Sequence, residues 1–173
     1  MMTERGQVSC DELILKFASK LVTILRKRIK AKLISVCLFG SSVKGKLRKG
    51  SDVDFFVVLG SAPSSYHKRV KVVVPLLEEI RESKEYKCLE ELKLELEPSF
   101  LMFTREEVDL HPPILIDMSY EGVILYDKDD FLANHLSDIK DQLKRFGAIR
   151  KTSPTGYYWL LKPDLRAGEV LRI

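Results

Sequence analysis

The sequence predicts a small α/β fold of the α+β kind, a mixed β-sheet with flanking helices, and three observations carry that expectation. Two uninterrupted apolar runs, "LISVCLF" at 33–39 and "DVDFFVVL" at 52–59, have strand length and too little polar alternation for a half-wet sheet. Two stretches, 11–30 and 129–146, repeat apolar residues at helical spacing. Breaks rich in Gly, Pro and Ser separate these elements.

Taken in order, the first helix covers 11–30, with Leu13, Ile14, Phe17, Leu21, Ile24 and Leu25 on one face and an Arg/Lys cluster at 26–30 where the helix dipole favours cations. Strands at 33–39 and 52–59 bracket a polar loop. After "GSAPSS", a long helix is expected over 66–86, interrupted or bent near Pro75. The alternating stretch "LEELKLELEPSFLMF" at 89–103 reads as a third strand around Pro98. Thr104 and Glu107 have capping-box spacing for a short helix. A helix at 114–120 and a strand at 122–127 follow, then the amphipathic helix at 129–146. The remaining tail has no clear period; its trio Tyr157, Tyr158 and Trp159 reads as a packing anchor, with stacking on a base as the alternative. The chain divides into a core at 1–128 and a helix and tail at 129–173 packed on it as one domain.

Composition narrows the class. A chain of 173 residues, 45% hydrophobic and 31% charged, buries a real core. No apolar run is long enough to span a bilayer, and the N-terminus has no signal-peptide pattern, so cytoplasm is the expected location. Cys10, Cys37 and Cys88 share no short spacing, which argues against a zinc site or a disulfide framework. A net charge of +4 suits a phosphate-bearing ligand but falls short of a dedicated RNA binder.

The chemistry concentrates in "LFGSSVKGKLRKGSDVDFFVV", residues 38–58. Asp52 and Asp54 stand two apart on a strand and therefore share a face, where two ionised carboxylates repel unless a cation lies between them. Hard divalent ions, magnesium above all, take such oxygen ligands and share them with phosphates. Upstream, Gly40 permits a tight turn, and Ser41 and Ser42 offer hydroxyls and N–H groups to an anion. Lys44, Lys46, Arg48 and Lys49 add positive charge, and Ser51 closes the loop. Phosphate cradle, cations and metal pair together equip metal-assisted phosphoryl or nucleotidyl transfer.

Gly40-Ser41, ten residues, then Asp52-Val53-Asp54 resembles the signature of the nucleotidyltransferase superfamily that includes DNA polymerase beta, and looks most like the prokaryotic stand-alone minimal nucleotidyltransferases. The resemblance implies a polymerase beta palm-like fold, a nucleoside triphosphate substrate with ATP expected, and two Mg2+ ions. It implies that Ser41 holds the terminal phosphates and that Asp52 and Asp54 hold the metals. It also implies a third carboxylate on the next core strand. Here the sequence departs from the pattern, because the expected position falls at Ser99. Glu97 is the first candidate and Glu95 the second, with Pro98 able to bend the strand and bring Glu97 into reach. Similar enzymes act as antitoxins paired with a small all-helical, ribonuclease-like partner that some of them modify on tyrosine, so such a partner, or an RNA or small-molecule acceptor, is expected. The competing expectation is a catalytically weak module of the same fold that binds nucleotide or protein without transfer. The base preference is not legible in the sequence.

Overall fold

The computed structural model describes residues 10–43, 50–93, 96–154, 156–166 and 168–171. Its centre is β1 (Leu33–Phe39), buried along nearly its whole length. β2 (Asp52–Leu59) runs antiparallel to it on one side and β4 (Val123–Asp127) antiparallel on the other, while β3 (Glu97–Thr104) lies parallel to β2 at the edge. The order β3-β2-β1-β4 is the expected mixed sheet.

Alternation along the strands builds two cores. Val53, Phe55, Val57 and Leu59 point to the face covered by α1 (Cys10–Ile29), α2 (Tyr66–Arg81) and α3 (Lys84–Glu91), where Phe17, Leu21, Ile80 and Leu89 are buried. Phe56 and Val58 point to the opposite face, against α4 (Arg105–Val108), α5 (Ile114–Glu121) and α6 (Phe131–Arg145). Cys37 lies in this second core, where burial, reinforced by the Asp127 charge, pushes its thiol up to about 12, so it is an inert packing group. Asp127 also ties the layers together. It accepts from Ser35 Oγ at 2.5 Å and from the N–H groups of Leu132 and Ala133 at 3.1 and 2.9 Å, at the positive end of α6.

Three expectations change. The helix expected over 66–86 is two, but the break falls after Arg81 and not at Pro75, which lies inside the first helix; Ser83 caps the second by accepting from the Tyr86 N–H at 3.2 Å. That helix takes in 84–91, so the third strand begins only at Glu97; Leu89 and Leu92 belong to helical rather than strand spacing. Pro98 does not bend the strand: the β2–β3 register runs unbroken from Asp52–Glu97 to Leu59–Thr104, since Pro is tolerated on an edge strand. The tail forms a hairpin, β5 (Ile149–Ser153) and β6 (Gly156–Leu160), held to α5 by Trp159 Nε1 donating to Asp117 Oδ1 at 2.8 Å.

One charged residue is sunk into the first layer. Arg69 is 5% exposed. It donates to the Pro63 carbonyl at 2.6 Å, to the Met102 carbonyl at 3.1 Å, and through both terminal nitrogens to Glu107 at 2.6 and 2.7 Å. Glu107 completes the capping box with Thr104, and the Arg69 guanidinium holds its carboxyl below the ordinary range. Beside it, Tyr66 Oη donates to the Phe100 carbonyl at 2.6 Å. Replacing Arg69 with Met orphans two carbonyls and strips the Glu107 carboxylate of its cation, leaving it the Thr104 N–H. Glu107 keeps 37% of its side chain exposed, so the expected loss is about 2–3 kcal/mol, below that of a fully buried pair, read as a lower urea midpoint at unchanged slope.

Candidate functional site

The site lies where β1 ends and β2 begins. Strand alternation puts Val53 and Phe55 into the core and leaves Asp52 and Asp54 on the other face, with Asp52 exposed and Asp54 half-buried. Register places Phe39 opposite Asp54 on one side and Ser99 opposite it on the other. Ser99 donates a hydrogen bond to the Asp54 carboxylate.

The turn after β1 begins at Gly40, with φ +77°. A Cβ there would collide with Asp54 Oδ2. Glycine is required by the left-handed backbone, and a side chain here would also push the Asp54 carboxylate from its place. Ser42 is buried and closes the turn, its Oγ donating to the Phe39 carbonyl at 2.9 Å. Ser41, half-buried, has no hydrogen-bond partner for its hydroxyl among the described residues, and Ser51 stands half-buried just before Asp52. Lys44, Lys46, Arg48, Lys49 and Glu95 lie outside the described residues.

Burial raises the Asp54 carboxyl above its ordinary value; the Ser99 bond opposes the shift and the charge of Asp52 adds to it. Among the described residues neither Asp52 nor Asp54 has an ion-pair partner, and no three His, Cys, Asp or Glu side chains gather closely enough to hold a metal by themselves. Glu97 sits opposite Asp52 in register, yet its carboxylate is taken by Arg81 Nη2 at 2.8 Å and Tyr86 Oη at 3.5 Å. The structure thus brings together Gly40, Ser41, Asp52, Asp54 and Ser99, with Glu97 alongside and engaged elsewhere. The hold of Arg81 on Glu97 was not foreseeable from sequence, since it spans sixteen residues and an intervening helix. The approach of α5 and the hairpin to Gly40 was equally hidden. Its only sequence trace is the helical i,i+4 spacing of Asp117 and Glu121.

Residues 18–125 match the model of the nucleotidyltransferase domain family. Among solved structures, the chain is similar to one described as a toxin–antitoxin with AMP-PNP (14% identity, 73% of this chain and 86% of that one, TM-score 0.46). It is also similar to the toxin–antitoxin MntA-HepT (13% identity, 76% and 92%, TM-score 0.41). A third is a tri-AMPylated Shewanella oneidensis HEPN toxin in complex with MNT antitoxin (14% identity, 79% and 92%, TM-score 0.42). With scores below one half, the family match alone bears the assignment. No curated protein matches the chain significantly. No described helix is long and apolar enough to cross a membrane.

Because its folded-state pKa is raised, ionised Asp54 weakens the fold at neutral pH, and this penalty fades as pH falls through the raised value toward the ordinary carboxylate range. Without divalent cation, Asp54→Asn should melt higher than wild type at pH 7, by about 1–3 °C, and the gap should close on acidification, as read by calorimetric melting at stepped pH.

Proposed function

Because this chain belongs to the nucleotidyltransferase domain family, we propose that it transfers a nucleoside monophosphate from a nucleoside triphosphate, ATP first, to an acceptor hydroxyl in a magnesium-dependent reaction. The observation that carries this reading is the contact of the Gly40 turn with Asp54: the anion cradle and the acid pair form a single surface. The donor set fits a hard divalent ion, being all oxygen, doubly negative and without a described cationic partner. Two magnesium ions held by Asp52 and Asp54 would supply Lewis acidity to the phosphates and a lowered pKa to the attacking hydroxyl.

The chain's own groups divide the remaining work. The Gly40 and Ser41 backbone and the Ser41 hydroxyl hold the terminal phosphates, with Ser42 and Ser51 assigned to the same role; Lys44 and Arg48 join that assignment from their place in the sequence alone. Ser99 fixes the orientation of Asp54. The acceptor oxygen bonds to the α-phosphorus as the bond to the bridging β-oxygen breaks, releasing pyrophosphate. The hydroxyl proton passes to a carboxylate, for which Glu97 is our candidate. Its bond to Arg81 joins side chains 48% and 53% exposed, a pair worth at most about 1 kcal/mol, so re-aiming Glu97 costs little. The acceptor class to test first is a tyrosine hydroxyl on a small all-helical protein partner.

A second reading has its own observation. The residue facing Asp54 from β3 is Ser99, not an acid, which favours a module that binds nucleotide and partner without transfer. Calorimetric titration with each nucleoside triphosphate and magnesium separates scaffold from site. Wild type should bind, and Asp52→Asn/Asp54→Asn should lose magnesium-dependent binding while keeping its fold. Absence of binding in the wild type overturns both nucleotide readings. Once transfer is measured, Glu97→Gln should lower turnover by about 100-fold or more with triphosphate affinity changed little; unchanged turnover removes Glu97 from the mechanism.

A further inference from the structure

A cavity of about 150 Å³ adjoins the turn, and the reading above assigns it no role. Its wall includes Phe39 and Gly40 from the end of β1, Asp117, Met118 and Glu121 from α5, and Tyr157 from β6. Gly40 belongs to both places: the same glycine that presses on Asp54 lines the cavity. A group joined to a phosphate at the turn therefore has this space as its immediate neighbour.

Resting on the nucleotidyltransferase reading, we propose that this cavity takes the nucleobase of the triphosphate and selects bases that carry an exocyclic amino group, adenine first. Phe39 and Tyr157 give it aromatic surface, and a base stacks on such rings whatever its identity. Tyr157 is held in place by Arg150, whose guanidinium carbon lies 3.6 Å from the ring centroid and which donates to Glu121. Selection falls to the carboxylates. Asp117 is fixed by Trp159 Nε1 at 2.8 Å, and Glu121 by Arg150. Ionised carboxylates accept and do not donate. They suit the amino groups of adenine, cytosine and guanine and disfavour uracil, which has no amino group and whose single N3–H donor is flanked by two carbonyl oxygens that would face the carboxylates unpaired.

The test measures magnesium-dependent binding of ATP, GTP, CTP, UTP and inorganic tripolyphosphate to wild type, Tyr157→Ala and Asp117→Asn. Asn keeps an acceptor for Trp159 and should leave the melting temperature unchanged, so that variant reports on recognition and not folding. The expected wild type binds ATP about tenfold or more tightly than UTP. Tyr157→Ala should weaken all four nucleotides by about tenfold and tripolyphosphate not at all. Asp117→Asn should bring UTP to within about threefold of ATP by presenting a donor. If nucleotides bind but both variants leave every nucleotide-to-tripolyphosphate ratio unchanged, the base lies elsewhere and this inference is wrong. If neither nucleotide nor tripolyphosphate binds wild type, the transfer reading itself has failed.

Discussion

The repulsion between Asp52 and Asp54 is the constraint around which the rest is arranged. Two carboxylates on one strand face would be an error in a sheet built only for stability. The fold tolerates them because they sit at the open end of β2, where Asp52 reaches water and Asp54 is steadied by one hydroxyl, from Ser99. Everything deeper in the strand, from Phe55 to Leu59, is buried. The sheet therefore concentrates its electrostatic cost at one end and its packing gain at the other, and Gly40 brings backbone to the costly end without a side chain in the way.

Strand register then determines which groups can cooperate. Parallel pairing of β2 with β3 sets Ser99 beside Asp54 and Glu97 beside Asp52. A hydroxyl tempers the more buried acid, and the acid on the neighbouring strand is anchored by an exposed arginine. Weak anchoring of this kind lets a side chain re-aim at low cost, whereas the Arg69–Glu107 pair, with its arginine sunk among carbonyls, is built to stay.

Much of this was legible in the sequence because it was local. The strands at 33–39 and 52–59, the capping box at Thr104 and Glu107, and the Gly-Ser and Asp-Val-Asp elements all declare themselves within a few residues. What escaped depends on contacts between distant segments or on competition between periods. Leu89 through Leu96 carries both a helical and an alternating pattern, and the cap at Ser83 decides for helix in its first part. The hairpin at 149–160 is short, half-exposed and paired only with itself, so its alternation is too brief to read; its place against α5 comes from one indole and one guanidinium. The engagement of Glu97 by Arg81 and Tyr86 is likewise a product of packing that no spacing rule contains.

The side chains that α2 sends to β3 carry one more implication. β3 is an edge strand, and its outer carbonyls would ordinarily template the addition of a foreign strand. Tyr66 takes the Phe100 carbonyl and Arg69 takes the Met102 carbonyl, alternate positions on that same rim. Two donors from one helix thus seal the border of the sheet. With these carbonyls taken, β3 is a poorer template for an added strand, whether from a copy of this chain or from an extended peptide, and the end of the neighbouring strand that carries Asp52 and Asp54 lies outside these contacts.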